Sequence, residues 1–445
     1  MRIPPHRSQA QRRGGSSEMP LRRILGLSAA VSGRLRRGFS SSASRPAWAM
    51  IHRLARLQAD STAPRASLRF AEPPCLSHLV IPAHLADPPR PDPNGDDVSL
   101  LYGGILKASS GDGLLLLAFM DLAATAPIVA TRGGTQERKL TGIDLDVDMR
   151  RFVCNPLSGQ MFRLPDIDGT RKTAWYSEMG ILTRSERPDR PPDRYAVAVL
   201  SEDRDGEERS FVMRRFLSQT GEWEKLVGLP SPLPLARQMN IDSEVLAFAG
   251  RLWWVDVSWG VVSSDPFSDR PELRFVELPR GSVTEPVESR EDQKVQSRYR
   301  HMGVSEGRLR YAEVSQEKPF MLSSFALDDD ESGWTLEHRV ALGRVFPHGD
   351  HLSGEDTPQI SAVNPLNASV MHLTVANQAF LVDMERRKLL ACSVRGEGVG
   401  VPCVLPPWLG SSRIPSAGAF SSTKTDAKSK TLSDILVRVD RGKRN

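Results

Sequence analysis

The sequence predicts an all-β chain arranged as a β-propeller of about five to seven antiparallel blades, with a packed β-sandwich as the alternative. Three observations predict it. Glycine (34) and proline (33) are plentiful and scattered through the 445 residues, which suits many short strands joined by turns. Turn signals recur at Gly111-Asp112-Gly113, Ser158-Gly159, Asp205-Gly206, Thr220-Gly221, Ala249-Gly250, Glu306-Gly307 and Ser332-Gly333. Between them lie short β-rich runs, and after residue 60 no amphipathic helix of 15 residues stands out.

The first element, residues 1–45, is an arginine- and serine-rich leader. Leu21, Ile24, Leu25, Val31 and Leu35 can share one side of a helix ringed by Arg22, Arg23, Arg34, Arg36 and Arg37. That composition is expected of an organelle transit peptide, with mitochondria as the destination and cleavage between Phe39 and Ser40. The alternatives are the chloroplast, or a cytoplasmic or nuclear protein with an uncleaved basic arm. Glu18 is the leader's one acid and lies just before Met19, so residues 1–18 read as an upstream extension of a presequence that begins at Met19.

Residues 46–98 follow as a proline-rich linker or wrapping arm. The propeller-like domain is expected over 99–410. Its strands include Leu114–Met120, Tyr195–Leu200, Ser210–Phe216 and Leu273–Leu278. The central one is Gly250-Arg251-Leu252-Trp253-Trp254-Val255-Asp256, which holds two of the eight tryptophans and is followed by a third at Trp259. Trp253 and Trp254 point to opposite faces of that strand, and in a stacked blade both faces are core. The runs repeat loosely at about 50–60 residues, near the length of a kelch-type blade. Gly250-Arg251-Leu252 recurs as Gly307-Arg308-Leu309, Gly221-Glu222-Trp223 as Ser332-Gly333-Trp334, and Phe162–Pro165 as Phe275–Pro279. Residues 411–445 form a polar tail in which Ile435–Asp440 is expected to add a closing strand.

The net charge of +5 is unevenly placed. Residues 1–59 hold twelve arginines and one acid, which leaves −6 on residues 60–445. A body of that charge gives no electrostatic footprint for nucleic acid. The longest apolar run, Leu114–Met120, is far below the roughly 20 residues of a membrane span, so no transmembrane segment is expected. Cys75, Cys154, Cys392 and Cys403 form no C-x-x-C pair and read as free thiols rather than a zinc site.

The order and spacing of Trp253-Trp254-Val255-Asp256, Trp259-Gly260, Ser264-Asp265-Pro266-Phe267 and Arg274–Pro279 resemble a plant family, domain of unknown function 1618. Gly303–Leu309 and Trp334–His338 fit the same pattern, so the family core is expected over about 250–395. Cys154–Gln160 with Phe162–Pro165 is similar to F-box-associated propellers, although no F-box helix bundle precedes them. The resemblance implies a propeller-like interaction domain without an assigned reaction.

Motifs for specific chemistry do not complete. Asp144, Asp146 and Asp148 alternate as at the start of a calcium loop, but Met149 and Asn155 stand where glycine and glutamate are needed. They read as the acidic face of a strand. His348 and His351 lie in a turn-rich loop with no helix to aim both rings, and Gly396, Gly398 and Gly400 do not complete a dinucleotide loop. Asp328–Glu331 reads as a solvated hairpin tip. No catalytic, cofactor or metal residue is expected. The expected function is a non-catalytic protein-interaction module, with Trp259, Asp256 and Asp265 at its rim and a protein as partner. The rival is a propeller hydrolase or lyase whose acids converge in the central channel.

Overall fold

The computed structural model describes residues 45–86, 95–132, 135–143, 147–170, 178–187, 190–203, 209–234, 237–241, 244–286, 289–346, 357–394 and 398–416. The elements lie in the unit Pro46–Asn445. The leader with its Phe39–Ser40 site, the pair His348 and His351, Asp144, Asp146, Gly396 and the strand expected at 435–440 lie outside the described residues.

The chain builds a six-bladed β-propeller. It opens with β1 (Trp48–His52), β2 (Arg56–Gln58), β3 (Ser67–Arg69) and β4 (His78–Pro82). Blade 1 runs outward from the axis through β5 (Asp97–Ser109), β6 (Leu115–Thr125), β10 (Asp148–Cys154) and β11 (Met161–Arg163). The insertion between β6 and β10 holds a two-stranded ribbon of β7 (Ile128–Arg132) and β8 (Thr135–Arg138), then β9 (Gly142–Ile143), which pairs with the end of β6. Blade 2 is β12 (Met179–Arg184), β13 (Arg194–Asp203), β14 (Ser210–Leu217) and β15 (Glu222–Pro230). Blade 3 is β16 (Glu244–Phe248), β17 (Arg251–Asp256), β18 (Gly260–Ser264) and β19 (Arg274–Glu277). A helix, α1 (Arg290–Tyr299), leads into blade 4, which is β20 (Arg300–Ser305), β21 (Arg308–Val314), β22 (Met321–Leu327) and β23 (Trp334–Ala341). Blade 5 is β24 (Gln359–Val363), β25 (Val370–Val375), β26 (Gln378–Asp383) and β27 (Lys388–Val394), and β28 (Gly400–Val404) ends the ring.

Blade 6 joins the two ends of the described chain. β28 is its inner strand and pairs antiparallel with β1, Trp48 opposite Val404 and His52 opposite Gly400. β1 in turn meets β4 through the Ile51–Ser77 bridge, and β4 is flanked by β2 and β3. Residues 48–82, within the stretch expected as a linker or wrapping arm, therefore supply most of a blade. The physical reason is that prolines such as Pro64, Pro73 and Pro74 fall between the strands, and Pro82 ends one. Meanwhile Ala49, Met50, Ile51, Leu79 and Ile81 are buried. β1, rather than the expected strand at 435–440, is the partner of the last described strand.

Strand periodicity explains the packing. On β17, Leu252 and Trp254 enter the core shared with blade 2, beside Leu200, Phe211 and Met213. Trp253 and Val255 enter the core shared with blade 4, beside Met302, Leu309 and Tyr311. Trp253 and Trp254 are both fully buried, as the alternation predicts. The Gly250 and Gly307 repeats are two-residue hairpin turns whose residues have positive φ, 49° and 72° in both cases. The tryptophan repeat links blades. Trp223 Nε1 donates to Pro165 O (2.8 Å) and Trp334 Nε1 to Glu277 O (2.7 Å), each reaching back to the edge of the preceding blade.

Candidate functional site

In a propeller the first strand of each blade faces the axis, so residues far apart in sequence converge there. Here β5, β16, β20, β24 and β28 line a central cavity of about 1030 Å³. One face of the ring carries the connections between blades, and at that end Arg53, Lys107, Glu244, Arg300 and His301 line the cavity together with Lys294 and Arg298 of α1. The local sequence explains the helix. Ser289 caps it by accepting from Glu291 N (3.2 Å), Glu291 and Asp292 occupy its first turn and Arg298 its last, each favourable to the helix dipole. α1 packs against β20 and β24 and so covers one side of the mouth.

Five cationic side chains line this cavity (Arg53, Lys107, Lys294, Arg298 and Arg300) against two carboxylates, Glu244 and Glu306. Lys107 is paired with Glu178 at 3.0 Å, and Lys294 with Glu291 at 2.7 Å on the same helix. Arg300 is fixed by carbonyls, donating from Nη1 to Val257 O (3.2 Å) and Ser282 O. Among the described residues no carboxylate pairs with Arg53, Arg298 or Arg300. Glu244 Oε2 stands 3.9 Å from His301 Nδ1, which is an ion-pair distance only once the ring is protonated. Among the described residues His301 has no hydrogen-bonded nucleophile, and no group of three His, Cys, Asp or Glu is arranged to hold a metal ion. The arrangement is suited to capturing negative charge.

The three residues expected at an interaction rim hold the turn after β17 and the loop after β18 instead. Trp259 is 4% exposed, packs on Phe275 with ring centres 4.9 Å apart, and is roofed by the Arg237 guanidinium at 4.9 Å. Asp256 is 5% exposed and accepts from Asn240 N, Ser258 N and Ser258 Oγ at 2.6–2.9 Å. Asp265 is half-buried, pairs with Arg184 at 3.0 Å across blades 2 and 3, and accepts from Phe267 N. The oxygens of both aspartates accept from the protein itself, and the indole is buried. Asp148 is half-buried on β10, and Asp328–Glu331 form the tip between β22 and β23, where Asp329 meets Arg308 and Glu331 meets Arg251.

Among the remaining features, His372 carries no expectation from sequence. His372 on β25 is 2% exposed and neither ring nitrogen has a hydrogen-bond partner among the described residues. Burial holds its pKa down at about 4, and its ring meets Trp48 of β1 edge-on at 5.2 Å. Cys154 and Cys403 are buried thiols, and burial pushes Cys154 up to about 12, which makes it unreactive.

Residues 254–380 match the family model described as "Protein of unknown function (DUF1618)". No curated protein matches the chain. Among solved structures the chain is similar to AztD from Citrobacter koseri, at 10% identity over 68% of this chain and 90% of that one, with a TM-score of 0.30. It is also similar to a putative 6-phosphogluconolactonase from Bacteroides fragilis, at 13% identity over 82% of this chain and 100% of that one, with a TM-score of 0.27. Among the described residues no helix is long and apolar enough to cross a membrane.

Proposed function

We propose that this chain is a non-catalytic interaction module of mitochondria, and that it receives an acidic segment of a partner protein at the mouth of its channel. One observation carries the reading. Residues 60–445 are net negative, yet the cavity lining has five cations to two carboxylates. Positive charge collected at a concave mouth on an otherwise negative body steers anionic partners to that point and repels them elsewhere. Arg53 and Arg298 are the anchors, because neither forms an ion pair with a carboxylate among the described residues. The leader supports the destination: an acid-poor, arginine-rich, amphipathic segment is what import machinery selects.

The test has two arms. A C-terminally tagged chain expressed from its own gene should begin at Ser40 and cofractionate with mitochondria; an intact N-terminus in the cytosol or nucleus overturns the destination. A photo-crosslinker at Val295 on α1 should capture an acidic partner in those mitochondria, and the doubly reversed variant Arg53→Glu/Arg298→Glu should lose that adduct. An adduct of equal yield from both proteins overturns the role of the mouth.

A further inference from the structure

We infer that the cavity beneath this mouth is itself a binding site for a small amphipathic anion, a carboxylate or phosphate monoester carried on an apolar body. The inference rests on the reading that the channel is the binding site, and it needs no protein partner.

The size is the first support. A volume of about 1030 Å³ lies at the upper end of pockets that enclose small ligands. The second is the polarity of the cavity along its axis. At the mouth, Arg300 is held in place by Val257 O and Ser282 O, so its guanidinium is positioned before any ligand arrives. Arg53 and Arg298 line the same end, and arginine presents paired N–H donors that match the oxygens of a carboxylate or phosphate. At the opposite end the lining carries Glu306, in the turn Glu306-Gly307, beside Pro365 and Leu366. With Arg53, Arg298 and Arg300 outnumbering Glu244 at the mouth and Glu306 at the far end, an anionic head is drawn to the mouth, which fixes one orientation. The third support is the wall between them. Leu246, Val304 and Val401 are half-buried on the inner strands, so apolar surface lines the wall between charges that stand at the two ends. A ligand with an apolar body gains by covering that wall, whereas a bare inorganic anion gains nothing from it.

The experiment is calorimetric titration of the full chain with octyl phosphate and octanoate below their micelle concentrations, and with inorganic phosphate and octylamine as controls. Saturable one-to-one binding of an octyl anion is expected, at least tenfold tighter than inorganic phosphate, with no binding of octylamine. Arg53→Gln and Arg298→Gln should each weaken the octyl anion about tenfold, the effect of losing one charged hydrogen bond. Their melting temperatures should stay at the wild-type value, which keeps lost binding apart from lost folding. Failure of both octyl anions to bind, equal affinity for inorganic phosphate, or indifference to both substitutions overturns the inference. If the octyl anions fail while the Val295 adduct persists and remains sensitive to charge reversal, the ligand falls and the partner reading stands. If they bind and the adduct is insensitive, the reverse holds.

Discussion

Blades 3 and 6 solve the same packing problem with opposite connectivity. Blade 3 is one continuous stretch, Glu244–Glu277, whose four strands follow one another through hairpins. Blade 6 pairs β28, near the end of the described chain, with β1, near its beginning, and continues through β4 to β3. The first forms from local contacts; the second closes a loop that contains all the other blades, at a larger cost in chain entropy. Local sequence therefore determines how a blade is built, while the meeting of distant segments determines that the ring is whole.

The comparison can be broken most severely at β1. Deletion of residues 46–58 should abolish the cooperative unfolding transition seen by circular dichroism, because β28 loses its only strand partner among the described residues. A transition that survives at the wild-type temperature would make blade 6 dispensable. In blade 3, Trp253→Ala should cost about 3–5 kcal/mol in denaturant unfolding, the range for emptying a fully buried large aromatic site, while the ring still folds.

The seam between blades 5 and 6 gives the next effect. His372 has a folded pKa of about 4 against an ordinary value of 6.5, so the folded state resists the proton that the unfolded chain accepts. Stability is then full above about pH 6.5 and falls as pH drops toward 4, by roughly 3 kcal/mol if nothing rearranges. His372→Leu should flatten that part of the stability–pH curve; an unchanged slope would remove the histidine from the account. A tighter test of inter-blade fit is Gly180→Val. A Cβ at this glycine on β12 stands 2.6 Å from Val245 Cγ1 and 2.7 Å from a Leu252 methyl, and the overlap should cost about 1–3 kcal/mol. The smallest effect is Trp334→Phe, which removes the hydrogen bond to Glu277 O across blades 3 and 4 and should cost about 1 kcal/mol.

The same contrast governs what could be read from the sequence. The β17 strand was legible because its period, its turn glycine and its tryptophans all belong to one short window, and Trp253 and Trp254 lie where alternation puts them. β1 was not, because five residues after an arginine-rich stretch, ahead of many prolines, give no sign of a partner at 400–404. At the rim, the letters of Trp259 and Asp256 do not reveal that Arg237 folds over the indole or that Asn240 and Ser258 occupy the carboxylate. The channel was the least legible part. Arg53, Lys107, Arg298 and Arg300 come from separate elements, and only the ring brings them to one cavity.

The placement of β1 also has a consequence in time. Synthesis delivers this strand before any of the blades, and its mate arrives only after blade 5 is complete. Throughout that interval Ala49, Met50 and Ile51 belong to an apolar strand with an open edge, the kind of segment that chaperones cover and that otherwise aggregates. Arrival of Gly400–Val404 is the event that takes this edge out of circulation, so the finished ring certifies that the ribosome has read at least that far.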